Sequence, residues 1–388
     1  MAKPDDDGLF DFDGNDAVSR IAAKYCSMTD GNCAPYIRII RPKGNFRGPS
    51  RFELNHEHLP RDAVFTLAPD GIGTKPGLVD IRRRHKTAGW DLCAMPSTDV
   101  SRWGGKPVLM TNVLDVRTAG EPRSPQRQAV IDLYAGLYEA SMEVGWTIFN
   151  GETAIMGPFV GSEVPDPTLP FLWAGVGFGI YRDDRLIDGS RVAAKQYVVA
   201  VRECGLRGNG YTDMRKALAA RFGEAWWDHP DAQEWIEAAA VPSVIYDKLL
   251  ADANGWNPHF ERIDISYIAH ITGGGICDKF GQDAILYFGF DAELSDLYDP
   301  LPVMHACKEW LGQSMPAERA YRSNNGGQGL LVVIESEEEA LRFIKLAATH
   351  GKEARICGRI GQRSDNPKLV IHSKYDGAGE VVYTRSKT

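Results

Sequence analysis

Stretches with the two-residue period of a strand alternate irregularly with stretches of helical period along this chain, and several strand candidates are broken by glycine. That pattern favours α+β architecture over a doubly wound parallel sheet, in which strand and helix would follow each other strictly. No G-x-G-x-x-G follows a predicted strand and no G-x-x-x-x-G-K-[ST] occurs, so neither common nucleotide-binding fold is supported. At 388 residues the chain has room for two domains. The charged, turn-rich run "YRDDRLIDGSRVA" marks the break, giving an N-terminal domain over 1–189 and a C-terminal domain over 190–388.

Within the first domain, a short helix is expected over 15–25 and irregular, mobile chain over 30–60. "AVFTLA" (63–68) reads as a buried strand and "PVLMTNVLDV" (107–116) as another. Between them, a helix in 88–104 should stop near Thr98–Asp99. The clearest helix is 125–145: Ser124 can cap it, Pro125 suits its first turn and Gly145 ends it. Strands follow at 146–150 and 171–180. The second domain should open with the strand "YVVAVRE" (197–203) and carry helices over 213–222 and 233–252. It closes with a strand–helix–strand unit over 329–360, in which Ser336 and Glu339 form a capping box.

The net charge of −8 disfavours non-specific attachment to nucleic acid or an anionic membrane. No uninterrupted apolar run is long enough to span a bilayer, and the acidic first residues do not resemble a signal peptide. Seven cysteines without a C-x-x-C argue against a disulfide framework or structural zinc. A reducing, cytoplasmic location is the expectation.

Four stretches concentrate chemistry. "PDGIGTKPG" (69–77) follows a strand and holds Asp70, Gly71, Gly73, Thr74 and Lys75. Asp-Gly alone is a turn pair, but the glycines also let backbone N–H groups approach an anion, and Lys75 adds charge. Aspartates beside phosphates commonly hold Mg2+ through hard oxygen ligands. "NGETAIMGP" (150–158) carries Gly151, Glu152 and Thr153 after a strand, while Asn112 and Asp115 sit late in theirs. On its own, Glu152 reads more readily as an acid at a helix start than as a metal ligand, and Asn112 and Asp115 read equally as a solvent-facing strand end. In the second domain, "GLRGNGYTDMRKAL" (205–218) and "AHITGGGICDKF" (269–280) put Gly208, Asn209, Gly273, Gly274 and Gly275 ahead of helices. Glycine turns before helices are common; two in one domain point to phosphate. His270 precedes the second loop.

Taken in order, "DGIGTK", "GWDLCAMPSTDV…GGKPVLMTNVLDV", "GETAIMGP", "GNGYTDMRKAL", "VPSVIYDKLL", "IAHITGGG" and "YRSNNGGQGLLVVI" resemble the phosphoribosylformylglycinamidine cyclo-ligase (AIR synthetase) family. They also carry the mark of its superfamily, with selenophosphate synthetase and thiamine-phosphate kinase. The resemblance implies two α+β domains, the second an α/β sandwich, and a homodimer whose N-terminal strands build a shared β-barrel. It implies ATP and Mg2+, with K+ left open, and a small ribonucleotide substrate. Asp70, Asp99 and Glu152 would hold the metal. Asp70, Gly71, Gly73, Thr74, Asn112, Gly151, Glu152 and Thr153 would hold the nucleotide. Lys75, Asp99 and His270 would be catalytic, and Gly208, Asn209, Gly273, Gly274 and Gly275 would bind substrate. The implied reaction is ATP-dependent closure of formylglycinamidine ribonucleotide to aminoimidazole ribonucleotide. The chain departs from the family pattern at Thr98, at Arg207 where a histidine is usual, at Ala22 where a lysine is usual, and in the N-terminal loop 31–54. Another ATP-dependent member acting on a different amide or acid, and a non-catalytic nucleotide-binding paralogue, are the alternatives.

Overall fold

The computed structural model describes residues 12–42, 50–375, 377 and 379–386. The chain packs as two units. The first takes in the chain up to Ser101, then Gly105–Asp184 and a short return at Ile245–Asp247. The second takes in Arg102–Gly104, Arg185–Val244 and the chain from Lys248 on.

In the first unit, helix α1 (Phe12–Ser27) leads to a two-stranded antiparallel ribbon, β1 (Ile37–Ile40) and β2 (Arg51–Leu54). The expectation of irregular chain over 30–60 is therefore corrected for these segments; residues 43–49, in the altered N-terminal loop, lie outside the described residues. Next come β3 (Ala63–Gly71), α2 (Pro76–Ile81), α3 (His85–Ser101), β4 (Lys106–Val116), α4 (Pro125–Val144), β5 (Thr147–Ile155) and β6 (Phe171–Arg182). Four of these strands form one sheet in the order β3-β6-β4-β5, with β4 and β5 parallel and the other pairs antiparallel. Helix α4 begins and ends as its sequence requires. Ser124 accepts the N–H of Arg127 at 3.1 Å, and Gly145 closes it at φ 84°.

The glycines of "AGVGFGI" are not strand breakers. Gly175, Gly177 and Gly179 recur every second residue, so all three face the same side of β6. A Cβ on Gly175 would lie 3.5 Å from Leu92, one on Gly177 3.3 Å from the Pro96 carbonyl, and one on Gly179 would overlap Val100. These three partners are spaced i, i+4, i+8 along α3. The glycine face is thus a smooth bed on which α3 lies, and that contact carries the helix past its expected end to Ser101. Pro96 sits inside the helix.

β3 is an edge strand and is not buried as its apolar run suggested: Leu67 is 68% and Val64 50% exposed. Leu172 and Val113 are also exposed on this sheet.

In the second unit, β7 (Tyr197–Arg202), α5 (Tyr211–Phe222), α6 (Gln233–Ala239), α7 (Asp247–Ala253, whose first residue belongs to the first unit), β8 (Ile265–His270) and β9 (Phe290–Leu294) are followed by α8 (Pro302–Leu311), α9 (Ala317–Ser323), β10 (Gln328–Ile334), α10 (Glu337–Thr349), β11 (Ala354–Arg363), β12 (Lys368–His372) and β13 (Glu380–Thr384). The seven strands run β13-β12-β9-β11-β7-β10-β8. Strand β10 is buried at every position, so both faces of the sheet centre are covered. The helix expected over 233–252 is interrupted because Pro242 lacks an N–H and turns Val241 away from helical geometry. β10 and β11 flank β7, each antiparallel to it, so the expected strand–helix–strand unit is split by an inserted strand. Ser336 caps α10 at 3.2 Å, and the Glu339 carboxylate accepts the N–H of Asp264. No helix among the described residues is long and apolar enough to cross a membrane.

Candidate functional site

Register across the four-stranded sheet brings the first unit's chemistry into two adjacent rows. Asp70 pairs with Gly175, Gly175 with Asn112, and Asn112 with Gly151. One step along, Gly71, Ala174, Val113 and Glu152 are aligned in the same way. Residues more than eighty positions apart are therefore neighbours. A shallow depression of about 300 Å³ lies here, lined by Pro69, Asp70, Thr111, Val113, Ala174 and Val176 among others.

The two rows face opposite sides, because successive side chains on a strand alternate. The Asp70 row is turned with Gly175 toward α3. The Glu152 row is turned with exposed Val113 toward the open face, and Glu152 is exposed. Asp99 lies in the last turn of α3, seven residues beyond Leu92, which is about 10 Å at 1.5 Å per residue. Asp70, Asp99 and Glu152 thus do not converge, and among the described residues no three His, Cys, Asp or Glu side chains are grouped to hold a metal ion. The expected three-carboxylate Mg2+ site is corrected on this geometry. Glu152 also lies within β5, which runs on to Ile155, and not at a helix start.

Three more expectations change. Lys75 has no exposed surface and pairs with Asp91 of α3 at 2.5 Å, so its charge is directed into the core and not toward a ligand. Asn112 is buried; it accepts the Trp173 indole N–H at 3.0 Å and packs against Gly151. Thr153 is buried and its hydroxyl meets that of Tyr134 on α4. Burial raises the Tyr134 phenol well above its ordinary pKa, which keeps this contact neutral. Asp70, Gly73 and Thr74 remain accessible, Gly71 is half-buried, and Gly73 takes the left-handed φ of 59° that permits the turn.

In the second unit the two glycine loops meet. A Cβ on Gly273 would lie 3.3 Å from the Asn209 side-chain oxygen. Gly208 and Gly210 are left-handed, at φ 74° and 77°, and Gly210 caps the N-terminus of the twelve-residue α5. Gly274 and Gly275 open the second helical segment, whose Cys277–Ile285 portion winds as a π-helix. A third loop, "SNNGGQG", joins them; in sequence it belongs to the family pattern but supplies no site candidate. Asn324 packs on Gly210, and Gly275 leaves no room between itself and the Tyr321 and Asn324 carbonyls. Asn325 donates to the Gly205 carbonyl at 2.9 Å and accepts the Gly327 N–H at 2.8 Å. Its Asn-Asn-Gly-Gly composition was the available signal. His270 ends β8 beside Leu330 and is buried, 3% exposed, just ahead of the Gly273 loop.

Comparison with known proteins agrees with this architecture. Residues 58–176 match the family model described as AIR synthase related protein, N-terminal domain, and 195–367 match its C-terminal domain. A phosphoribosylformylglycinamidine cyclo-ligase of Anaeromyxobacter dehalogenans is 30% identical, over 77% of this chain and 81% of its own length. That of Thermococcus kodakarensis is 26% identical over 79% and 83%. Among solved structures, the hydrogenase maturation protein HypE in complex with ATP superposes with TM-score 0.58 at 14% identity, covering 96% of this chain and 94% of that one. Thiamine-monophosphate kinase from Stenotrophomonas maltophilia gives 0.56 at 15%, covering 93% and 95%. These two likenesses speak for the fold. With both domain models matched and the identity extending over three quarters of its length, the chain belongs to the AIR synthase related family.

Proposed function

We propose that this protein is an ATP-dependent cyclo-ligase that closes formylglycinamidine ribonucleotide to 5-aminoimidazole ribonucleotide in purine biosynthesis. The observation that carries the reading is the meeting of the Gly208–Gly210, Gly273–Gly275 and Asn324–Gly327 loops at the start of two helical segments. Backbone N–H groups at helix starts favour a phosphate, and here they would hold that of the ribose. The curated relatives' names supply the substrate class.

ATP would transfer its γ-phosphoryl group to the formyl amide oxygen. The amidine nitrogen then attacks the activated carbon, the C–O bond breaks with the oxygen leaving as inorganic phosphate, and a proton is released. ADP and the aminoimidazole remain. The accessible Asp70, Gly71, Gly73 and Thr74 form the proposed nucleotide loop, with Glu152 exposed on the sheet's open face. His270 is the proposed proton carrier. A Mg2+ ion shared by Asp70, Asp99 and Glu152 does not fit the chain's geometry, so no step is routed through it.

A second copy of this chain is the proposed occupant of the open sheet face, where Phe65, Leu67, Leu172 and Val113 are exposed. The resemblance to a dimeric barrel and the unpaired edge of β3 support that choice. All seven cysteines are free, which agrees with a cytoplasmic location.

The test is incubation with ATP, Mg2+ and formylglycinamidine ribonucleotide, following ADP and aminoimidazole ribonucleotide. ADP formed only with that substrate supports the reading. Nucleotide binding without turnover would overturn it in favour of a non-catalytic paralogue. Asp70→Asn should abolish turnover in a folded protein.

A further inference from the structure

Arg207 is the cation of "GLRGNGY", placed where an anion-binding loop would use one, yet it is fully buried. Its guanidinium lies 2.8 Å from Glu203, which is equally buried, and donates to the Val244 carbonyl at 2.5 Å. Glu203 is occupied on its other side. Its Oε1 accepts the N–H groups of Cys204 at 2.9 Å, Gly205 at 3.3 Å and Val244 at 3.1 Å. One ion pair therefore joins both ends of the 203–207 turn to the 241–244 segment.

We propose that the Glu203–Arg207 pair positions the phosphate-binding loop, and that Arg207 does not itself touch the ligand's phosphate. This rests on the phosphate role assigned above to the glycine loops. The backbone at Arg207 is left-handed, φ 51°, a conformation unfavourable for a residue with a Cβ. The ion pair holds it there. The reason to hold it is visible one step on: the Arg207 carbonyl accepts the Asn209 side-chain N–H at 3.1 Å, and the oxygen of that same amide faces Gly273. Glu203, Arg207, Asn209 and Gly273 form a chain of contacts from the buried pair to the meeting point of the loops. The phosphate is then recognised by neutral donors, backbone N–H groups and Asn209, with the cation withheld beneath them.

The sign of one substitution separates this from direct contact. Removing a carboxylate near an anion site ordinarily strengthens anion binding, and Glu203→Gln would also free Arg207 to reach the phosphate. Positioning demands the opposite. In the full chain, Glu203→Gln should weaken ribose 5-phosphate binding, measured by calorimetry, about tenfold or more. The KM for the ribonucleotide should rise in parallel, with kcat and the KM for ATP little changed. Arg207→Lys, which keeps the charge, should recover part of the loss relative to Arg207→Met. Should the Met variant not fold, Glu203→Gln and Arg207→Lys carry the test. Tighter ribose 5-phosphate binding by Glu203→Gln would overturn the proposal. So would a loss of melting temperature and active fraction with KM unmoved, which is what a merely structural pair gives. If the wild-type protein itself fails to bind ribose 5-phosphate, the phosphate reading of the loops falls, and this inference with it.

Discussion

Lys75 Nζ lies 2.5 Å from Asp91 Oδ2, and neither side chain reaches solvent. The pair ties the loop after β3 to the first half of α3, so the lysine of "DGIGTK" helps set the loop's shape from beneath. A buried ion pair is weak evidence of net stabilisation, but leaving one partner alone is costly.

Lys75→Met should therefore destabilise the first unit by about 3–5 kcal/mol, because Asp91 would stay buried without the lysine it pairs with. Lys75→Met with Asp91→Leu should recover most of that. Urea unfolding of the single and double variants checks it; equal stability of both would show that the pair is not what the loop rests on.

Gly179 has no room for a side chain because Val100 occupies the space above it. Gly179→Ala should cost about 1–3 kcal/mol through overpacking. Adding Val100→Ala should return part of that loss, a coupling measurable in a double-mutant cycle. Additive losses would mean that α3 does not lie on the glycine face.

Leu67 projects from the edge strand with 68% of its surface exposed. Leu67→Glu should leave the melting temperature of the chain within a few degrees, about ±0.5 kcal/mol for a surface change, while turning the proposed dimer into a monomer in sedimentation velocity. A dimer that persists in this variant places the interface elsewhere.

Burial pushes the thiols of Cys26 and Cys277 up to about 11, and those of Cys93 and Cys307 up to about 12, from 9.0. Above pH 9 the unfolded chain loses these protons more readily than the folded one. Their stabilising contribution is thus complete below about pH 9 and declines as pH rises through 11–12. Thermal unfolding followed from pH 8 to 11 should show a falling midpoint, and Cys93→Ser should make the fall shallower. A midpoint that stays flat to pH 11 would contradict the burial of these groups.

Much of this protein could be read in one dimension. Helix α4 is written in Ser124, Pro125 and Gly145 and in its apolar spacing, since caps and periodicity act within a few residues. The glycine loops before α5 and after β8 were legible for the same reason, and the order of motifs named the family. Other features depend on what lies across the sheet or beneath the helix. Alternation along β4, β5 and β6 sets Glu152 on the open face while α3 carries Asp99 along the other, so three acids that look like one ligand set do not share an ion. The inward turn of Lys75 to Asp91 and of Arg207 to Glu203 is likewise invisible in sequence, where Lys75 reads as a charge beside an anion loop and Arg207 only as a departure from the family pattern. Local propensity determined helix α4 and the glycine loops. Strand register and burial, which depend on contacts between distant residues, decided which charged groups remain for chemistry.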